Sequence, residues 1–290
     1  MNFSNILAHI AETDPEVYER TSQRRSVIKN WMRGVTMATL PLALGGMFKK
    51  AYGQSTDLVI EALNFAIVLE YLERDFYKAA LDVSLPPFSA NPLIPAASGL
   101  DQPAFINIYN HEVQHVAFLK TVIEELGESV PLVPKFDFTG GKGTPNGSFP
   151  NVFSSYHDFL AVAQTLEDTG VRAYKGAAPV FMAKNDLLTA VMRIHSVEAR
   201  HAAHVREIRR LTPSNMVIGE IKPWISLDHS NINSLDVQNS YVGEENTQQA
   251  LIQISGINGQ LIDDAAASES FDEPLSIADV LVIVDPFLVP

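Results

Sequence analysis

Four long stretches of this chain have helical length, and each sets one glutamate among apolar neighbours. Residues 56 to about 82 contain no Pro or Gly, and a run of that length favours helix over strand. After a Pro-rich break, a second helix is predicted from Asp101, read as its N-cap with Pro103 in the first turn, to Gly127. A third spans about 154 to 183, and a fourth runs from about 186 to 211, where Pro213 stops it. The connections are short, long (128 to 152) and short, which fits an all-α four-helix bundle with one long crossover. Residues 212 to 290 read as a loop-rich C-terminal extension packing on the bundle. Its apolar stretch "SIADVLVIV" suggests a short helix.

Charged residues belong on the outer face of a bundle helix. Glu70 instead shares its face with Leu63, Ala66, Ile67 and Tyr77, and Glu112 with Phe105, Ile108, Tyr109, Val116 and Leu119. Glu167 sits with Leu160, Ala163, Val171 and Tyr174, and Glu198 with Val191, Ile194, Ala202 and Val205. Helix periodicity turns such carboxylates inward, where an unpaired charge is costly. Glu112 and Glu198 each have a histidine three residues on, His115 and His201, one turn away on the same face. Four inward carboxylates repel one another unless cations sit between them. Cys is absent, so any metal must be held by His, Asp or Glu. Iron and manganese accept carboxylate and imidazole together.

The first and third helices repeat each other: "LEYLERDFYKAA" (69–80) against "LEDTGVRAYKGA" (166–177). With Glu-x-x-His on the second and fourth, the pattern is a duplicated helical hairpin. The stretches "LNFAIVLEYLERDFY", "HEVQHVAFL", "LEDTGVRAY" and "VEARHAAHVR" resemble the bacterial ferritin-like domain proteins, including those described as desiccation-related. The resemblance covers about residues 55 to 211. It implies a ferritin-like bundle holding two divalent metal ions, iron or manganese, on Glu70, Glu112, His115, Glu167, Glu198 and His201. In the family geometry Glu112 and Glu198 bridge, His115 and His201 cap one metal each, and Glu70 and Glu167 are terminal ligands. Such a site suits two-electron chemistry with a small-molecule oxidant, O2 or peroxide, of ferroxidase or catalase type. The resemblance implies no agreed activity, and a non-catalytic stress- or desiccation-related structural or binding module remains the alternative.

Several residues admit other readings. Glu70 has Arg74 four residues on, and an i,i+4 surface pair is its alternative reading. Glu73 rivals Glu70 as a ligand, and Asp168 rivals Glu167. His111, His195 and His204 read as polar-face residues or as partners of a ligand. His195 stands three residues before Glu198, a spacing that would let it orient that carboxylate. Tyr77 and Tyr174 occupy one repeat position, either as core aromatics or as hydrogen-bond partners of the site. The segment His111-Glu112-x-x-His115 also matches the helix motif of zinc proteases. The extended form of that motif is absent, since Thr121 and Val122 stand where its last ligand would fall, and the zinc reading leaves three inward glutamates unexplained.

The formal net charge is -13. Residues 1 to 54 hold seven Lys/Arg against four acids, leaving 14 Lys/Arg and 30 acids in the rest. So acidic a body repels phosphates and argues against a nucleic-acid partner. The basic leader reads as an address. Arg24 and Arg25 precede the uncharged segment "GVTMATLPLALGG" (34–46), and Ala51 and Gly53 have the spacing of a cleavage site after Gly53. Thirteen residues rise about 20 Å as helix, short of the roughly 30 Å hydrocarbon core, so no integral membrane span is expected. The segment resembles a twin-arginine export signal, with Gln23 where such signals carry Ser or Thr, and it implies a periplasmic protein. The long connection and the extension would crowd a storage cage, which favours a monomer or small homo-oligomer.

Overall fold

The structure, a computed structural model, describes residues 56–81 and 101–290. The expected export segment, residues 1–54, lies outside the described residues. Four long helices form the body: α1 (Thr56–Leu81), α2 (Asp101–Glu125), α3 (Tyr156–Ala177) and α4 (Asn185–Leu211). α1 packs chiefly along α2 and α3 along α4, and the two hairpins meet mainly through α1 and α3.

Local chemistry sets the helix ends. Ser155 caps α3, its hydroxyl accepting from the Asp158 amide. α4 ends with Arg209 and Arg210 in its last turn, where cations face the negative end of the helix dipole. The third helix is shorter than expected. It stops at Ala177 and tightens into a 3-10 turn, Ala178–Phe181, because Pro179 has no amide to continue the α ladder.

Along the bundle the apolar interior falls into two clusters. One holds Phe76, Tyr77, Phe105, Phe159 and Val205, and the other Leu63, Ile67, Leu119, Val122 and Val191. On every helix the inward glutamate comes between residues of the two clusters, so the carboxylates form a polar layer between two apolar ones. Phe76 and Phe159 stack with centroids 5.1 Å apart, and Phe105 meets Phe159 edge-on at 5.1 Å.

The C-terminal extension has weak periodicity and is held by polar side chains from the bundle. It contains a two-residue-strand hairpin, β1 (Gln248–Gln249) with β2 (Ile252–Gln253), and two short helices, α5 (Asp264–Ser268) and α6 (Ile277–Val284). α6 matches the expected helix in "SIADVLVIV", and Ser276 and Asp279 form its capping box. Three arginines, all buried, do the anchoring. Arg172 donates to the carbonyls of Ser240 (2.5 Å), Val242 (2.8 Å) and Glu273 (2.9 Å) and pairs with Glu244 at 2.7 Å. Arg206 pairs with Asp168 (2.5 and 3.0 Å), whose carboxylate also accepts from Tyr241 at 2.8 Å. Arg209 donates to the Asn231 carbonyl (3.0 Å) and to Gln164. Carbonyls of irregular backbone would be costly to bury unpaired, and these guanidiniums satisfy them.

Gly176 allows the closest approach. A Cβ there would fall 1.8 Å from the Leu275 carbonyl oxygen, so a side chain would push the extension off α3. The crossover between α2 and α3 is pinned to the chain's last residues, with Asp137 N–H donating to Phe287 O at 2.8 Å and Val289 N–H to Lys135 O at 3.0 Å.

Candidate metal centre

The structure brings all six predicted site residues together at the middle of the bundle. Glu70, Glu112, Glu167 and Glu198 are fully buried, while His115 and His201 are 7% and 4% exposed. They fall into two overlapping donor groups, each within a 4.8 Å span: Glu70, Glu112, His115 and Glu198, then Glu112, Glu167, Glu198 and His201.

The individual oxygens define the arrangement. His115 Nδ1 stands 3.1 Å from Glu70 Oε2, 3.0 Å from Glu112 Oε2 and 3.0 Å from Glu198 Oε1. His201 Nδ1 stands 3.0 Å from Glu112 Oε1, 3.4 Å from Glu167 Oε2 and 3.5 Å from Glu198 Oε2. Glu112 and Glu198 therefore each present one oxygen to each histidine. Glu70 and Glu167 each serve one group.

The terminal carboxylates are held crosswise. Tyr77 on α1 donates to Glu167 on α3 at 2.5 Å, and Tyr174 on α3 donates to Glu70 on α1. The shared repeat position of the two tyrosines thus becomes a reciprocal pair of hydrogen bonds. Tyr77 also lies 5.9 Å from Phe105 and 6.2 Å from Phe159, closing that side with aromatic surface.

Electrostatics show how these residues balance one another's charge. Burial lowers the pKa of both histidines, yet the carboxylates outweigh it. Glu70, Glu112 and Glu198 hold His115 well above its ordinary value, and Glu167, Glu112 and Glu198 do so for His201. Burial pushes Glu70 well up, and it takes Glu167 to about 8 against the pull of His201. Glu112 and Glu198 go the other way: burial raises them, but the two imidazoles hold both below the usual carboxylate range. Protons therefore supply the positive charge in this layer. Even so, Glu112 Oε1, Glu167 Oε2, both Glu198 oxygens and His201 Nδ1 meet one another only as close ion pairs and make no well-directed hydrogen bond, an unusual cost for buried groups. A donor set of carboxylate oxygens and imidazole nitrogens suits iron or manganese. Two cations would satisfy these atoms, so the residues present fit a dinuclear centre.

A pH dependence follows. A group whose pKa is raised by folding binds more protons folded than unfolded, so it loses stability as pH rises from its unfolded value through its folded one. For Glu167 that window is 4.5 to about 8. For His115 and His201 it begins at 6.5. Glu112 and Glu198, with lowered values, act only below 4.5. The metal-stripped protein should melt lower as pH rises from 5 to 8, by about 3 to 6 °C per pH unit for each proton of difference. Metal requires deprotonated ligands, so the gap between loaded and stripped protein should widen over the same range. Paired melting curves check this.

Three sequence alternatives are corrected. Glu70 does not pair with Arg74, which bonds Asp75 at 2.7 Å. Asp168 points to Arg206 and Tyr241, away from the donor groups. His195 Nδ1 meets the Val171 carbonyl oxygen at 2.9 Å and not Glu198, whereas the exposed His204 agrees with its polar-face reading. The zinc-protease spacing fails as well, because His111 belongs to neither donor group.

His111 nonetheless has a place. Its Nδ1 lies 2.9 Å from His201 Nε2, and the two rings stack at 5.2 Å. Burial, with the nearby His201 and His115, pulls His111 down to about 4, so it is neutral near pH 7 and can accept the Nε2 proton. That leaves His201 Nδ1 facing the carboxylates. Histidine ligands are commonly oriented this way through their second nitrogen. Replacing His111 by Ala should weaken one metal ion by roughly 10- to 100-fold and spare the other. Titration of the stripped variant with cobalt(II) reads both steps.

An α-helical bundle with a buried, duplicated carboxylate–histidine layer defines the class of protein. The sequence pattern of the ferritin-like domain family matches residues 58–210, more than half of the chain, and the chain belongs to that family. No curated protein matches it.

Proposed function

We propose that this bundle holds two divalent metal ions, iron or manganese, and uses them for redox chemistry with O2 or peroxide. The observation that carries the reading is the division of oxygens: Glu112 and Glu198 each offer one oxygen to the His115 group and one to the His201 group. In this assignment both would be shared between the two ions. His115 and Glu70 would complete the donor set of one, and His201 and Glu167 that of the other. A pair of redox metals held there would make two-electron chemistry with an oxidant available. The chain's own part is to keep the ligands in place and the site dry. Tyr77 and Tyr174 fix the terminal carboxylates, His111 orients His201, and the aromatic cluster excludes water.

Metal content of the protein from its native compartment, measured together with peroxide and O2 turnover, tests the reading. About two ions per chain and turnover that falls in Glu198→Ala support it. Fewer than about half an ion per chain, unchanged in Glu112→Ala, defeats it.

The depth of the site favours a second reading: a non-catalytic, stress- or desiccation-related module on the same bundle, with metal serving stability. All four carboxylates are fully buried. Under that reading Glu198→Ala changes melting while no turnover exists to lose.

We also propose that residues 1–54 direct export to the periplasm, supported by Arg24, Arg25 and the short apolar segment after them. Fused to a reporter, they should export it, and Arg24→Lys with Arg25→Lys should stop export. No described helix is long and apolar enough to cross a membrane. A monomer or small homo-oligomer is the expected assembly, which sedimentation reads directly.

A further inference from the structure

The duplicated hairpin would make the two halves of the centre equivalent, and one position breaks that equivalence. Glu73 follows Glu70 by three residues on α1. At the matching place on α3, three residues after Glu167, stands Gly170. Glu73 is 3% exposed, and its Oε2 has no hydrogen-bond partner. A buried carboxyl of this kind calls for an explanation.

Gly170 makes the room for it. A Cβ on Gly170 would lie 2.9 Å from Glu73 Oε1 and 3.7 Å from Glu198 Oε2. Glu73 Oε1 and the Glu198 oxygen that faces His201, not the one that faces His115, therefore both border this notch. After burial, the charges of Glu198 and then Glu167 act on Glu73 most strongly, ahead of Glu70. Glu73 is a member of neither four-residue donor group. His111, which backs His201, marks the same half; the corresponding position before Glu198 is Val197.

We infer that Glu73 is a seventh donor, reaching through the Gly170 notch to the metal held by Glu167 and His201, so that the two metals differ in ligand charge and affinity. The inference rests on the dinuclear reading above. The extra anionic oxygen strengthens one half alone, so the metals load in unequal steps.

Cobalt(II) titration of the metal-stripped full chain, followed by calorimetry and by the visible absorption of the bound ion, tests it. Wild type should take two ions in two unequal steps. Glu73→Gln should weaken one step about tenfold or more and shift that step's bands, leaving the other within about twofold. Gly170→Ala should weaken the same step, since its Cβ displaces the carboxylate. That step should also be the one lost in Glu167→Gln and kept in Glu70→Gln. The stripped Glu73→Gln protein should melt no lower than wild type, since it loses a buried carboxyl with a partnerless oxygen. Two ions bound with unchanged affinities and bands in Glu73→Gln would overturn the assignment while leaving the dinuclear centre standing, and so would equal weakening of both steps. A wild type that takes up no cobalt would overturn both.

Discussion

Replacing Glu112 by Ala is expected to strip both metals from the protein, from about two per chain to fewer than about half. One of its oxygens faces His115 and the other faces His201, so the loss reduces both donor groups from four residues to three. It also removes a negative charge from each. Glu70→Ala touches one group only and should leave about one ion. Elemental analysis of the two variants separates a shared ligand from a local one. Equal losses in both would argue against bridging. The stripped Glu112→Ala protein should fold, because the change removes a buried carboxylate and leaves the apolar clusters on either side intact.

The second large effect concerns the extension. Arg206→Ala should cost about 3 to 5 kcal/mol, because it leaves Asp168 buried and unpaired. For a chain of this size that is roughly a 10 °C fall in melting temperature. Arg206 is fully buried, and its guanidinium makes two bonds to Asp168, at 3.0 and 2.5 Å. Removing both partners, as Arg206→Met with Asp168→Leu, should recover much of the loss, since replacing a whole buried ion pair by apolar side chains is often near neutral. The recovery is incomplete because Tyr241 loses the acceptor of its hydroxyl, although it still accepts from Gln164 at 3.0 Å. Thermal melting of the single and double variants checks the account. A loss of under about 1 kcal/mol for Arg206→Ala would show that the network does not hold the extension.

What could be read in the sequence was whatever helix periodicity expresses. Each inward glutamate is marked by apolar residues four and seven positions away, and each Glu-x-x-His pair lies within one turn, so both signals are local. The bundle and the six converging residues were legible for that reason. Helix position also distinguishes Glu167 from Asp168. One residue along a helix is a turn of about 100°, and that carries Asp168 off the site towards Arg206.

Contacts between distant segments were not legible. His111 appears unused within its own helix, because its partner His201 is 90 residues away. Glu73 looks like a spare carboxylate until Gly170 is seen to leave it room. The arginines of α3 and α4 pass for surface charges, since their acceptors are mostly backbone carbonyls of the extension, and a carbonyl leaves no signature in a sequence. Pro179 did carry the signal that ends α3, but the apolar residues after it suggested a longer helix.

The central claim is that the carboxylate layer is a dinuclear centre with Glu112 and Glu198 shared between its halves. Anomalous scattering from crystals of the metal-loaded protein, collected at the edge of the metal found in it, tests this most directly. The account predicts two peaks in each chain, one beside Glu70 and His115 and one beside Glu167 and His201, with Glu112 and Glu198 touching both. A single peak, or metal only on His111 and His115, would contradict it.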